Sequence, residues 1–269
     1  MLPFALNHMT VPHLRHDALF SMAARLGFMG VELRNDLGRP LFDGDRPEDV
    51  AAQARAHGIR IIGLSQVYPF NAWSDEIVEK VRSLIANAKA CGAETISLIP
   101  RNEGIGCGPE ERIANLKEAV RDIAPLLKDA NLVALIEPLG FERSSLRSKA
   151  ETIEVLEALG VVPYFKLVHD TFHHHLAGGG AFFPAYTGLI HVSGVTDPFL
   201  PVNAMEDEHR VLVDADDVLG NCEQIAALRA AGYQGPISFE AFSPITHQRT
   251  DIEHALAVSA RFITQQVGP

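Results

Sequence analysis

The chain has 269 residues, of which 47% are hydrophobic, and this predicts a single domain over residues 1–269 with one large core. Its net charge of −11 argues against a nucleic-acid partner, because proteins that bind the phosphate backbone usually carry clustered Lys and Arg. Three widely spaced cysteines argue against a disulfide framework, and the lack of a long apolar run or secretory signal predicts a cytoplasmic protein without a membrane partner.

Short apolar runs alternate with helical patterns along the whole chain. The eight predicted strands cover residues 3–7, 30–34, 59–67, 95–100, 132–137, 165–170, 189–192 and 237–240. Helical spacing, caps and glycine stops predict helices over residues 13–26, 48–57, 74–92, from 109 to about 125, 149–159, 217–231 and 251–265. Pro125 is expected to end or kink its helix. Eight strand and helix pairs favour a closed (β/α)₈ TIM barrel over an open doubly wound sheet.

Four predicted strands end in a side chain that can bind a metal ion. These residues are Glu137, Asp170, His191 and Glu240, at the fifth to eighth strands. Catalytic groups of such barrels lie at the carboxyl ends of the strands, and neighbouring ends are about 5 Å apart. Three carboxylates and one imidazole suit Mn²⁺, Mg²⁺, Co²⁺ or Zn²⁺. The pattern therefore predicts one divalent metal ion as cofactor.

Other interpretations of these residues remain open. Asp170 could cap the next helix, with the histidines after it in solvent, and His174 and His175 are expected to be solvated. Glu137 and Glu240 could form buried salt bridges with Arg or Lys. Ion pairing alone does not readily explain why four neighbouring strands each end in a residue that can bind a metal ion, so a metal site is favoured.

Several motifs in the second half of the chain resemble a known family. They are Asp170-Thr-Phe-His173-His-His175, Ile190-His191-Val192, Asp207-Glu-His-Arg210 and Ser238-Phe-Glu240-Ala-Phe242-Ser-Pro244. With these motifs the chain resembles the xylose-isomerase-like barrels of sugar isomerases and epimerases, and among them the inosose (2-keto-myo-inositol) isomerase group.

The resemblance implies a role for each candidate residue. Asp170 and His191 would bind the metal, Glu137 and Glu240 would bind it and also exchange the substrate proton, and His173 and Arg210 would contact the substrate. The chain departs from the pattern at Lys166 and His169, which replace expected apolar residues. It also departs at Ser193, where the inosose isomerase has an acid.

The leading hypothesis is therefore an enzyme, a metal-dependent isomerase or epimerase acting on an inosose or ketose. Such a reaction removes a proton beside a carbonyl and stabilises the enediolate, with one glutamate as base and the other as conjugate acid.

A dehydratase of a cyclic keto acid such as dehydroshikimate is the alternative, and it would need more cationic groups. An apurinic endonuclease would need more metal ligands and a basic DNA track. A barrel that binds a sugar or metal without turnover is also compatible with the fold. The expected partner is a small molecule, and a homo-oligomer is compatible with the pattern.

Overall fold

The computed structural model describes residues 2–268 and contains the predicted closed barrel. All neighbouring strands are parallel, and the barrel closes because the first strand pairs with both the second and the eighth. The strands are β1 (Phe4–Asn7), β2 (Gly30–Arg34), β3 (Arg60–Val67), β4 (Thr95–Leu98), β5 (Val133–Ile136), β6 (Phe165–Asp170), β7 (Thr187–Val192) and β8 (Ile237–Phe239).

Helices follow the strands and cover the outside of the barrel. They are α1 (His16–Arg25), α2 (Pro47–Ala56), α3 (Asp75–Cys91), α4 (Pro109–Ala130), α5 (Lys149–Ala158), α6 (Thr171–Leu176), α7 (Asn221–Ala230), α8 (Pro244–His247) and α9 (Ile252–Val267). Short 3-10 helices lie at His8–Thr10, Leu41–Gly44, Val162–Tyr164, Val202–Ala204 and Asp207–His209.

The two ends of α3 show how capping residues in the sequence predict the bounds of a helix. The Ser74 side chain accepts a hydrogen bond from the backbone N–H of Ile77 and so caps α3. Gly92 ends the same helix with a φ of 72°, a left-handed conformation that glycine adopts without strain. The buried residues of α3 face the strands as part of one continuous apolar core.

Two helix boundaries differ from those expected from the sequence. Pro125 does not end α4, which runs on to Ala130, and its ring lies on the exposed side, where water can hydrate the carbonyl that loses its donor. The helix predicted to begin at Asp217 begins at Asn221. The Asp217 carboxylate instead accepts backbone N–H groups of the preceding loop and of Asn221, so it orders the loop before the helix.

The carboxyl ends of β5 to β8 meet at one mouth of the barrel. Register places Asp170 beside His191, and His191 beside Ser238 two residues before Glu240. The predicted ligand residues thus come to one place because their strands are neighbours. Among residues 2–268, no helix has both the length and the apolar character needed to cross a bilayer.

Candidate metal centre

The four predicted ligand residues lie together at the mouth of the barrel. One ligand atom from each of Glu137, Asp170, His191 and Glu240 lies within 4.8 Å of all the others, and all four residues are buried. From His191 Nδ1 the distances are 3.1 Å to Glu240 Oε2, 3.6 Å to Glu137 Oε1 and 3.9 Å to Asp170 Oδ2. This buried group of one imidazole and three carboxylates could hold a divalent metal ion.

Glu32 on β2 determines which nitrogen of His191 carries the proton. His191 Nε2 is 3.1 Å from both carboxylate oxygens of Glu32, and a carboxylate can only accept, so Nε2 donates. When the ring is neutral, Nδ1 then presents a lone pair to three carboxylates, and it has no hydrogen-bond partner within residues 2–268. A lone pair facing carboxylates needs a cation between them, so the donor set fits a metal ion.

The electrostatics at His191 favour positive charge at the same point. Burial by itself would lower the pKa of His191, but Glu240, Glu32 and Glu137 together raise it well above its ordinary value. A proton on the ring or a metal ion at Nδ1 would each satisfy the three acids.

Glu32 is absent from the sequence predictions. It is fully buried, and it also accepts a hydrogen bond of 2.6 Å from the Ser238 hydroxyl. The sequence nevertheless indicates that Glu32 is unusual, because this acidic residue stands in the middle of the apolar strand sequence Gly30-Val-Glu-Leu-Arg34. A charge that would be buried on a strand needs a partner, which here is His191.

Glu240 also forms the ion pairs that the alternative interpretation predicted. Arg34 Nη1 donates to Glu240 Oε1 at 2.7 Å, and Arg210 Nη2 donates to Oε2 at 3.0 Å. Burial alone would raise the pKa of Glu240, but His191 and the two arginines hold it well below its usual value. The carboxylate of Glu240 therefore stays charged although it is buried.

Glu137 has a different environment. Its contacts with ionisable groups in the described chain are longer, at 3.6 Å to His191 Nδ1 and 3.9 Å to His173 Nε2. Burial raises the pKa of Glu137, and although His191 opposes this, the charges of Glu240 and Asp170 add to the increase. The two glutamates are thus shifted in opposite directions.

Arg210 lies deeper in the site than a loop residue usually does. Its Nη2 donates to Asp170 Oδ2 at 2.5 Å, its Nη1 to Asp207 at 3.1 Å, and its Nε to the Ser193 hydroxyl at 2.9 Å. The guanidinium also lies over the ring of Phe242, 4.5 Å from its centre. Ser193, one of the positions at which the chain departs from the pattern of the resemblance, therefore orients this arginine.

Asp170 caps α6 and also lies in the buried group of candidate ligands. Its Oδ1 accepts the backbone N–H of His173 at 2.9 Å and so caps α6, while its Oδ2 faces Arg210 and His191. Capping and metal binding are therefore compatible.

The expectation that His174 is solvated is wrong, because it is buried against His169 and Phe182.

A cavity of about 220 Å³ opens above the ligand group. Within the described chain, Glu137 and Glu240 line this cavity, whereas Asp170 and His191 do not. His173 and Arg210, predicted to contact the substrate, also line it. Buried Asn102 Oδ1 and His173 Nδ1 have no hydrogen-bond partner in residues 2–268, although both residues border the cavity. A polar molecule in the cavity could satisfy them.

Similarity to known proteins agrees with this architecture. A family described as xylose isomerase-like TIM barrel matches residues 20–264. A xylose isomerase domain containing protein from Salmonella typhimurium LT2 is 32% identical, with a TM-score of 0.88 over 99% of this chain and 97% of that one. No curated protein matches the chain significantly in sequence.

Two other solved structures share the fold at 17% identity. IolI protein with a binding zinc atom has a TM-score of 0.86 over 99% of this chain and 98% of that one. A probable 3-DHS dehydratase, AsbF, from Bacillus anthracis has a TM-score of 0.75 over 97% of this chain and 99% of that one. The match over residues 20–264 and the 32% identity together show that the chain belongs to the xylose isomerase-like TIM barrel family.

Proposed function

We propose that this protein is a divalent-metal-dependent isomerase or epimerase of a keto-polyol, an inosose or a ketose. The observation that carries the proposal is the buried ligand group beneath a polar cavity, with His191 Nδ1 lacking a hydrogen-bond partner in the described chain. Glu137, Asp170, His191 and Glu240 would hold the ion. When bound, a divalent cation stabilises the negative charge that develops on the substrate oxygens during proton removal.

The two glutamates are the proposed proton carriers. Of the four ligand residues, Glu137 and Glu240 line the cavity, so their carboxylates can reach a substrate carbon. They project from the ends of β5 and β8, on different sides of the barrel mouth. One carboxylate would take the proton beside the carbonyl, and the other would return a proton to the opposite face.

The charges around the cavity favour a neutral polyol over a keto acid. Two arginines of the described chain line the cavity, and both are already paired with carboxylates. Arg34 forms 2.7 Å contacts with Asp36 and Glu240, and Arg210 pairs with Asp170, Asp207 and Glu240. A substrate carboxylate would have to compete with these acids. Substrate hydroxyls, by contrast, could pair with Asn102 Oδ1 and His173 Nδ1.

The two remaining alternatives have less support. An apurinic endonuclease would need a cluster of metals, whereas residues 2–268 contain one group of ligands with metal-binding geometry, in a chain of net charge −11. A barrel that merely stores a metal or sugar would not need two glutamates open to the same cavity.

The test is turnover by metal-stripped protein of a panel of inososes, ketohexoses and dehydroshikimate, with and without Mn²⁺, Mg²⁺, Co²⁺ or Zn²⁺, followed by NMR in D₂O. We expect metal-dependent deuterium uptake beside the carbonyl together with a rearranged polyol. Loss of water from dehydroshikimate, or metal-dependent nicking of abasic DNA, with no exchange in any polyol would replace the proposal by one of its alternatives.

Replacing Glu32 by Gln is expected to weaken metal binding about 10- to 100-fold, because groups that orient a ligating histidine typically contribute this much to affinity. Gln can accept one hydrogen bond from His191 Nε2, but it lacks the negative charge that favours the Nε2–H tautomer. Zinc affinity measured by competition with a chelator gives the effect. Glu94→Gln, at an exposed salt bridge with Arg60, is the matched control. Equal zinc affinity in both variants would contradict the role of Glu32.

A further inference from the structure

A second cavity, of about 290 Å³, lies behind the metal centre. It lies between the start of α5 and the glycine-rich segment after α6, and its lining includes Arg147, Lys149, His174 and Gly179. His173 borders both this cavity and the one above the metal ligands. Apart from His173, the residues of this second cavity have no role in the proposed isomerase reaction.

The hydrogen bonds around Lys149 show that its histidine partners are neutral. The Gln224 amide donates to the carbonyls of Thr171 and Leu219, so its oxygen is the acceptor for His169 Nε2 at 2.9 Å. His169 therefore carries its proton on Nε2 and presents the Nδ1 lone pair to Lys149 Nζ at 2.7 Å. His174 Nδ1 lies 3.1 Å from the same Nζ. These contacts satisfy N–H groups of Lys149 without supplying negative charge.

Neither cation of this cavity has a carboxylate partner in the described chain. No carboxylate oxygen of residues 2–268 lies within 4 Å of Lys149 or Arg147, although the protein as a whole is acidic. Arg147 donates from Nε and Nη2 to the backbone carbonyls of Gly140 and Leu176. The acids that act on Lys149 at longer range are Asp170 and Glu137, both proposed metal ligands. Burial lowers the pKa of Lys149 to about 7, so its positive charge is poorly compensated.

We propose that the second cavity binds a small oxyanion, the phosphate or carboxylate group of a metabolite, through Lys149 and Arg147. Lys149 has three N–H groups and gives two to the imidazoles, which leaves one for a ligand. Arg147 Nη1 likewise makes no hydrogen bond within the described chain, so a bound oxyanion would supply both the missing acceptor and the missing charge. This proposal does not depend on the reaction proposed for the metal centre.

Chemical labelling of Lys149 locates the ligand directly. The metal-loaded protein is acetylated at about pH 8 in the presence of inorganic phosphate, succinate or chloride, all at the same ionic strength. Mass spectrometry then measures the rate of acetylation at each lysine. A bound anion stabilises the ammonium form, and a pKa increase of about one unit, from about 7 to about 8, would lower the neutral fraction of Lys149 at this pH and slow its labelling about twofold. Lys166, which donates to the Ala185 carbonyl, is the internal control and should not respond. Stronger protection by phosphate than by succinate indicates a phosphoryl ligand, and the reverse indicates a carboxylate.

Variants of Lys149 distinguish anion binding in this cavity from anion binding at the metal ion. Phosphate or succinate should raise the unfolding temperature of the wild type and of Lys149→Arg, but not that of Lys149→Gln, which removes the charge and keeps a donor for the imidazoles. Equal stabilisation of Lys149→Gln would place the anion elsewhere and overturn the proposal. Unchanged labelling of wild-type Lys149 with both anions would also overturn it, and this readout does not depend on the folding of any variant.

Discussion

Replacing Glu137 or Glu240 by Gln is expected to lower kcat about 10³-fold on whichever keto-polyol the wild type converts, which lies within the range for loss of a positioned proton carrier. Gln has nearly the same shape and keeps an oxygen that can bind a metal, but it cannot accept a proton in the working pH range. Deuterium exchange beside the carbonyl should fall in parallel with kcat. The measurements are initial rates and NMR in D₂O at saturating metal.

A matched control for these two variants is Glu142→Gln. Glu142 lies on the loop after β5, close in sequence to Glu137, but its side chain is exposed. We expect near wild-type turnover for this control, and circular dichroism should show a folded barrel in all three variants. Wild-type turnover in both Glu137→Gln and Glu240→Gln would refute the proton-carrier assignment.

The grouping of the four candidate ligand residues could be predicted from sequence because their signal is local. Each ends a short apolar run that is typical of a buried strand, and Glu137, His191 and Glu240 also precede turn residues, as in Val133-Ala-Leu-Ile-Glu137 before Pro138. Barrel topology then converts the order of the strands into proximity, because consecutive parallel strands end at the same mouth. No knowledge of side-chain geometry was needed for this step.

The partners of these ligands could not be predicted in the same way. Glu32 reaches His191 across 159 residues, and Arg34 reaches Glu240 across 206, so each pairing depends on the closure of β1 and β2 against β8. The sequence marks His169 as unusual for its strand, but its partner Lys149 lies on a different element. A buried charge can be suspected from sequence, whereas the residue that compensates it is found only in the folded chain.

Replacing Arg210 by Met is expected to destabilise the metal-stripped protein by about 3–5 kcal/mol, the usual cost of removing one partner from a buried ion pair. Arg210 and Asp170 are each 1% exposed, and Glu240 is 3% exposed, so loss of the guanidinium leaves two buried carboxylates without this counter-charge. Met keeps much of the packing volume and removes the charge. The free energy of unfolding in urea gives the effect.

Two comparisons make this result specific to the metal centre. Arg143→Met removes a bidentate pair with Glu206 in which both side chains are 43% exposed, and we expect a loss below about 1 kcal/mol. Adding Zn²⁺ or Mn²⁺ should recover more stability in Arg210→Met than in the wild type, because the ion supplies the counter-charge that Asp170 and Glu240 have lost. If the two arginine variants lose equal stability, or if metal stabilises wild type and Arg210→Met alike, the carboxylates at the mouth do not share one cationic site.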